Sequence, residues 1–249
     1  MTAHRIGLVV PSSNTTMEIE VPAILQSHAS VRPDTFTFHS ARVRLKHVTK
    51  EELTKMDRDA GTAALQLADA RVDVVALACL VATMSQGVGH HRASEVELGR
   101  IVEEETGVAV PVVASAGALV EALKYLGATK IAVITPYMKP LTETVCGYIE
   151  HEGFEVVDSI SLEVPDNLEV GRLDPQQLIE LAQRVDTSQA DALVLSACVQ
   201  MPSLAVLQQV QDQFDIPVLS ASVATAWQIL TSLGLDPVAP GAGDLLKGQ

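Results

Sequence analysis

The amino-acid sequence predicts an α/β protein of two pseudo-symmetric lobes, each a short parallel sheet flanked by helices. Short runs rich in Val and Ile alternate with longer stretches of helical period, which is typical of βαβ units. The central runs at residues 74–78 and 193–195 are continuously apolar, as in strands that are buried on both faces. The chain also repeats itself in its second half, which predicts two sheets rather than one.

Each element follows from its local pattern, taken along the chain. The strands are assigned to short apolar runs bounded by turn residues, and they are Arg5–Val10, Thr35–Arg42, Val72–Ala78, Val110–Ala114, Lys130–Thr135, Glu155–Ser161, Asp191–Ser196 and Pro217–Ser220. The helices are assigned where apolar residues recur every three or four positions, and they are Met17–Gln26, Thr49–Ala70, Ser94–Thr106, Ala116–Tyr125, Leu141–His151, Pro175–Val185, Leu204–Gln213 and Ala221–Leu233.

The repeat consists of three matches that occur in the same order in both halves. They pair residues 4–11 with 129–136, residues 72–79 with 190–198, and residues 111–114 with 217–220. We therefore expect a first lobe formed by residues 1–115 plus 222–249 and a second lobe formed by residues 116–221. An active site is expected in the cleft between them, because ligands of open parallel sheets bind beyond the carboxyl ends of the strands.

Composition excludes several classes of function. The 249 residues include 17 Lys and Arg against 31 Asp and Glu, for a net charge of −14. A field of this sign repels nucleic acids and anionic lipid, so neither partner is expected. The most apolar run, Val74–Met84, is too short to span a membrane. No signal peptide is expected, because the first apolar run breaks at Pro11.

The three cysteines are Cys79, Cys146 and Cys198, and their wide spacing is neither a disulfide framework nor a zinc pattern. Free thiols predict a reducing, cytoplasmic location. Cys79 and Cys198 each follow an apolar strand and precede a helix start, where backbone N–H groups stabilise a thiolate. A single cysteine is more often a small buried hydrophobe. Two at equivalent strand ends predict a catalytic pair, whereas Cys146 lies within a helical pattern and is expected to be structural.

Polar residues also follow the strands. Asn14 lies in a polar cluster after the first strand, where its amide can donate to a carboxylate or the cluster can simply cap a helix. Tyr137 follows the matching strand of the second half, where its hydroxyl can donate to an enolate-like oxygen or pack as a half-buried aromatic. Asn167 lies in a predicted turn, for which backbone geometry is a sufficient reason. The pattern alone does not select it.

A segment rich in Gly and His, residues 87–92, matches neither a phosphate-binding loop nor a dinucleotide fingerprint. Adjacent histidines point to different sides of an element, and no second pair at ligand spacing follows. We therefore expect no metal and no cofactor. A G-x-S-x-G element of a hydrolase is also missing from the sequence.

Five motifs together resemble the maleate cis-trans isomerases of the aspartate/glutamate racemase superfamily over essentially the whole chain. They are PSSNTTME after the first strand, ACLVATMSQGVGHHR around Cys79, TPY at Tyr137, PDN at Asn167 and SACVQMPS around Cys198. The resemblance implies that Cys79 is the nucleophile, Cys198 the second catalytic cysteine, and Asn14, Tyr137 and Asn167 the residues that bind the substrate carboxylates. It also implies a homodimer.

The implied reaction is the cofactor-independent isomerisation of maleate to fumarate. Cys79 would add to the alkene, the C2–C3 bond would rotate, and the thiolate would leave. Cys198 would act as an acid or stabilise an enediolate. The related arylmalonate decarboxylases keep a cysteine only in the second half, so Cys79 argues against decarboxylation. Two alternatives stay open: a two-cysteine racemase of aspartate or glutamate type, and a non-catalytic dicarboxylate-binding protein.

Overall fold

The computed structural model describes residues 3–248, which form two four-stranded sheets in which all strands run parallel. The strands of the first sheet are β1 (Ala3–Pro11), β2 (Thr35–Val43), β3 (Val74–Leu77) and β4 (Val112–Ala114). Those of the second sheet are β5 (Lys130–Thr135), β6 (Glu155–Ser161), β7 (Ala192–Ser196) and β8 (Val218–Ser220).

Helices connect the strands in the order that parallel pairing requires. They are α1 (Met17–Ala29), α2 (Lys50–Asp69), α3 (Leu80–Met84), α4 (His90–Thr106), α5 (Ser115–Tyr125), α6 (Lys139–His151), α7 (Asn167–Val170), α8 (Gln177–Arg184), α9 (Leu204–Gln211) and α10 (Ala221–Ser232). A short 3-10 helix, Asp244–Leu246, follows. Of the helices within residues 3–248, none is both long enough and apolar enough to cross a membrane.

The strand order is the same in both sheets, β2-β1-β3-β4 and β6-β5-β7-β8. This equivalence confirms the predicted fold class. The two central strands that carry the cysteine loops, β3 and β7, are buried along their whole length, as their continuous apolar runs predicted.

The helices α5 and α10 follow the last strand of each sheet and pack against each other. α10 also packs on α1 and on the strands β3 and β4 of the first sheet. The end of the chain therefore returns to the first half. The lobe boundaries at residues 1–115 plus 222–249 and 116–221 stay a prediction.

Polar contacts join the two halves away from the sheets. The hydroxyl of Tyr148 on α6 lies 2.5 Å from Nδ1 of His91 on α4, and both residues are buried. Arg92 forms a two-pronged ion pair with Glu152 at 2.8 and 2.6 Å. On the other side, the buried Glu20 of α1 accepts backbone N–H groups at the start of α9 at 2.6 and 2.7 Å. A carboxylate from one half thus caps a helix of the other.

The observed elements differ from the predicted ones mainly where they are short. The helices α3 and α7 were not predicted, because five and four residues are too few to show a helical period. α4 begins at His90 rather than Ser94, since its first turn is polar and carries no apolar stripe. Both short helices lie directly beside the candidate site.

Candidate active site

All five predicted site residues meet at one small cavity where the carboxyl ends of the two sheets face each other. The cavity has a volume of about 20 Å³ and is lined by Pro11, Asn14, Leu45, Val48, Cys79, Leu80, Val81, Tyr137, Asn167, Cys198, Val199 and Gln200. Both halves of the chain contribute. The site therefore forms only when the two sheets are brought together.

Cys79 is placed by the end of β3 and the start of α3. It is the N-cap residue of α3, and its carbonyl accepts a bond from the Thr83 hydroxyl at 3.4 Å. Its thiol is 4% exposed and accepts a hydrogen bond from the backbone N–H of Ala82. The strand end thus holds the sulfur over the first turn of a helix, within reach of a single backbone donor.

Cys198 has the equivalent place after β7 but a different set of donors. The backbone N–H of Gln200 lies 3.4 Å from Cys198 Sγ, and the N–H of Met201 and the Tyr137 hydroxyl also point to this sulfur. The same hydroxyl lies 3.4 Å from the carbonyl of Ala197. A hydroxyl has one proton, so it serves one of these two acceptors at a time.

Both buried thiols favour the protonated form. Burial, together with a smaller effect of the neighbouring Cys198, raises the pKa of Cys79 to about 12. Burial also raises the pKa of Cys198 against the effect of its donors. The pKa of Tyr137 lies well above its ordinary value, because the hydroxyl is buried beside Cys198. Backbone N–H groups were expected to stabilise a thiolate at Cys79, but here loss of solvent outweighs them.

Asn14 is a buried amide that joins the two halves. Its side-chain oxygen accepts the backbone N–H groups of Thr16 and Met17, both at 2.9 Å, at the start of α1. Its side-chain nitrogen donates to the carbonyl of Val199 at 3.2 Å. Arg42 donates to the backbone carbonyl of Asn14. Asn14 thus bonds the start of a helix and lines the cavity at once.

Asn167 is the first residue of α7, which begins where the Asp166 carboxylate caps it. The side chain of Asn167 donates to the Ser13 hydroxyl at 2.8 Å, across the boundary between the halves. It is 8% exposed and lines the cavity, where the sequence pattern alone offered only a turn residue.

Gln200 is a cavity residue that the sequence did not single out. Its side-chain nitrogen donates to the carbonyls of Ser13 at 3.1 Å and Asn167 at 2.8 Å, and its side-chain oxygen accepts the N–H of Thr15 at 2.8 Å. Its position within the motif around Cys198 was the available signal. Nothing in that motif shows that the side chain reaches the first half.

Apolar side chains from the segment between β2 and α2 cover the cavity. Leu45 is 2% exposed and Val48 is half-buried, and both line the space next to the thiols. A volume of about 20 Å³ is close to that of a single water site. A ligand larger than a water molecule therefore does not fit the cavity in this conformation.

The two adjacent histidines have protein partners outside the cavity. His90 Nε2 lies 2.9 Å from an Asp57 carboxylate oxygen, and His91 contacts Tyr148. Across residues 3–248, no group of three or more His, Cys, Asp or Glu side chains is arranged to hold a metal ion.

Fold and site together define a two-lobed α/β enzyme of the racemase-like superfamily, with a pair of thiols between its halves. A family model described as arylmalonate decarboxylase matches residues 6–246. The maleate isomerase of Geobacillus stearothermophilus is 58% identical over 251 residues and covers 100% of both chains. That of Alcaligenes faecalis is 55% identical over 100% of this chain and 98% of its own. The chain therefore belongs to the arylmalonate decarboxylase family, and within it to the maleate isomerases.

Solved structures agree with this assignment. The maleate isomerase Iso from Pseudomonas putida S16 has a TM-score of 0.97 and 52% identity, covering 99% of each chain. A cysteine-to-serine variant of the Nocardia farcinica maleate cis-trans isomerase, with a covalently bound succinylcysteine intermediate, has a TM-score of 0.94 and 46% identity, covering 98% of each chain. Both relatives share the whole two-lobed fold.

Proposed function

We propose that this protein isomerises maleate to fumarate through a covalent adduct on Cys79. The observation that carries the proposal is the meeting of two thiols and three neutral donors, from Asn14, Tyr137 and Asn167, at one small cavity. A thiol adds to an electron-poor alkene, and amide and phenol groups bind carboxylates. The succinylcysteine in the Nocardia farcinica relative is the adduct that such an addition forms.

Cys79 is the proposed nucleophile because its sulfur is the less occupied of the two. One backbone donor bonds Cys79, whereas three donors surround Cys198. A more basic thiol is also the stronger nucleophile once it loses its proton. Its high pKa requires that the proton leaves as the bond to carbon forms, since little thiolate is present beforehand.

The step balances without any oxidant or reductant. The Cys79 sulfur bonds to C2, the electron pair of the double bond moves to C3 and the adjoining carboxylate, and the Cys79 proton passes to this carboxylate or to C3, from which it returns to the sulfur when the adduct breaks down. Cys198 and Tyr137 lie beside Cys79 and can supply a proton or a hydrogen bond to this charge. After rotation about the C2–C3 single bond, the same bonds break in reverse, and fumarate leaves.

Neutral donors suit a nucleophilic thiol better than cations do. No Lys or Arg side chain lines the cavity formed by the described residues. Cationic groups beside Cys79 would lower its pKa and, with it, the intrinsic nucleophilicity of the thiolate. The two carboxylates are therefore assigned to hydrogen bonds from the amides, the phenol and the backbone.

The test is a proton NMR time course of maleate in D2O with the wild type, Cys79→Ala and Cys146→Ala. We expect fumarate from the wild type and from Cys146→Ala, because Cys146 lies on α6 outside the cavity. Cys79→Ala is expected to lose essentially all turnover. Fumarate without deuterium indicates an enediolate, whereas deuterium at carbon indicates protonation by an exchanging group. A fully active Cys79→Ala would overturn the proposal.

The facing thiols also favour a second candidate, a two-cysteine racemase in which one sulfur removes an α-proton and the other returns one. This function predicts that a chiral amino acid such as aspartate takes up solvent deuterium and racemises. The NMR assay distinguishes the two functions. If maleate does not react while aspartate takes up deuterium, the result supports the racemase. Dicarboxylate binding without either reaction would leave a binding protein.

We also propose that the protein works in a reducing cytoplasm and as a homodimer. The free thiols support the cytoplasmic location, because two thiols in one cavity would be prone to oxidation in an oxidising compartment. The family resemblance supports the second. Light scattering on the purified protein measures the assembly directly.

A further inference from the structure

Gln200 carries more bonds between the two halves than any single residue of the catalytic set. Its side chain is 2% exposed and spans from the Cys198 loop to Ser13, Thr15 and Asn167. Its backbone takes part as well. The N–H donates to Cys198 Sγ, and the carbonyl accepts from the Thr16 hydroxyl at 2.7 Å.

We propose that Gln200 is a positioning residue that sets the separation of Asn14 and Asn167, the two amides assigned to the substrate carboxylates; this inference rests on the proposed function. Asn14 lies between Ser13 and Thr15, and Gln200 bonds both of these neighbours. The same amide nitrogen bonds the carbonyl of Asn167 itself. One side chain therefore fixes both amides relative to each other and to Cys198.

Only an amide of this length satisfies the three partners. Two of them are carbonyls that need donors, and the third is an N–H that needs an acceptor. Gln carries both kinds of group at the end of one side chain, whereas Glu, Lys and Leu do not. The space is also closely fitted, since a Cβ added to Gly171 would lie 2.6 Å from Gln200 Nε2.

The expected consequence is a change in substrate affinity rather than in chemistry. Both carboxylates have the same separation in maleate and in the adduct before rotation, so amides at the wrong separation weaken these two states alike. Loss of such uniform binding raises KM and leaves kcat less affected. A residue with a purely structural role would lower stability without this split.

The first experiment compares Gln200→Leu with the matched control Gln211→Leu. Gln211 is also a buried glutamine, and it bonds backbone groups at Val218 and Ile216, but it lies outside the cavity. We expect both variants to melt at a lower temperature. Only Gln200→Leu is expected to raise KM for maleate, about tenfold to a hundredfold, with a smaller fall in kcat.

A second variant, Gln200→Glu, tests the proposal even if Gln200→Leu does not fold. Gln200→Glu keeps the acceptor for Thr15 but turns an oxygen towards the carbonyls of Ser13 and Asn167, where a donor stood. Protonation restores one donor. The ratio of its KM to the wild-type KM should therefore fall as the pH is lowered from about 8 to about 5. Taking the ratio removes the titration of maleate itself.

Calorimetric binding of succinate, a saturated dicarboxylate, separates this proposal from the proposed function. The positioning role alone is overturned if the wild type converts maleate, KM is unchanged in Gln200→Leu, and the KM ratio of Gln200→Glu does not depend on pH. A wild type that binds succinate without converting maleate, with weaker binding in Gln200→Leu, overturns the function and supports the positioning role. A wild type that neither binds nor converts overturns both.

Discussion

Cys79 and Cys198 are each the second residue after an equivalent strand, and both line the same cavity. The residue before each cysteine donates its N–H to the neighbouring strand, to the Val9 carbonyl at 2.9 Å and to the Ile134 carbonyl at 3.0 Å. Both cysteines are therefore anchored to their sheets. Movement of the backbone of one cysteine away from the other requires movement of a whole half or loss of these backbone bonds.

This fixed pairing predicts reversible oxidative inactivation. Diamide is expected to join Cys79 to Cys198, because two thiols form a disulfide when their Cα atoms approach within about 7 Å. Activity should return with dithiothreitol. Peptide mapping identifies the bond. Cys146→Ala is the control, and diamide should still inactivate it. Full activity with no thiol loss after treatment would contradict the prediction.

The burial of Cys79 predicts how its reactivity depends on pH. Its pKa of about 12 lies above the ordinary value of 9.0, so the rate of alkylation by iodoacetamide should rise about tenfold per pH unit from about pH 7 to about pH 10. The alkylation rate of a free thiol levels off near its ordinary pKa of 9.0. Mass spectrometry of the Cys79 peptide measures the rate, and a plateau below pH 9 would show that a thiolate is stabilised in the resting site.

The same shift has a consequence for stability. The native state holds the Cys79 proton more tightly than the unfolded chain does. The contribution of this proton to the free energy of unfolding is therefore complete below pH 9.0 and is lost as the pH rises towards 12. Cys79→Ala should therefore lose less stability than the wild type over that range. Urea denaturation at several alkaline pH values measures the difference.

The contact between Tyr148 and His91 is predicted to stabilise the junction of the halves. Tyr148→Phe leaves the Nδ1 atom and the backbone N–H of the buried His91 without their partner, which should lower the free energy of unfolding by about 1–3 kcal/mol. Tyr125→Phe is the matched control, because Tyr125 is 53% exposed. Equal effects of the two changes, measured by urea denaturation at pH 7, would argue against the contact.

Protonation of His91 is expected to lower the stability of the same junction. Burial lowers the pKa of His91 below 6.5, so the native state prefers the neutral ring. The stability contributed by this group is complete above pH 6.5 and declines as the pH falls through the interval below it. Tyr148→Phe and the wild type should therefore be compared at fixed pH.

Two glycines predict opposite results for the same substitution. At Gly171 an added Cβ would lie 2.5 Å from Thr15 Oγ1 and 2.6 Å from Gln200 Nε2, so Gly171→Ala should raise KM and lower the melting temperature. At Gly147, inside α6, an added Cβ meets nothing within 4 Å. Gly147→Ala should raise the free energy of unfolding by about 0.5–1 kcal/mol, through helix propensity alone. An unchanged KM in Gly171→Ala would contradict the close fit around Gln200.

The sequence pattern was sufficient to predict those parts of the structure that depend on residues close together in the chain. Buried strands such as β3 and β7 show as apolar runs, and the repeat of these runs predicted two equivalent sheets. Cys79 and Cys198 could be selected because the end of a parallel strand is where ligands bind. These inferences need only residues that are close in sequence.

The rest depends on residues that are distant in sequence. Asn167 was selected only through a resemblance, because PDN alone reads as a turn. Gln200 was missed, since its partners Ser13 and Thr15 lie in the other half of the chain. The cover formed by Leu45 and Val48 was missed for the same reason. No periodicity records which loop of one half reaches the other.

The repeated halves are alike in their strands but not in the residues that surround the two sulfurs. Ser12 follows Pro11 where the second half has Tyr137 after Pro136, and only the tyrosine reaches a thiol. Maleate is itself a symmetric molecule whose two alkene carbons are identical in solution. On the proposed function, the unequal environments of the sulfurs supply the distinction that the substrate lacks, and the carbon that lies next to Cys79 becomes the electrophile.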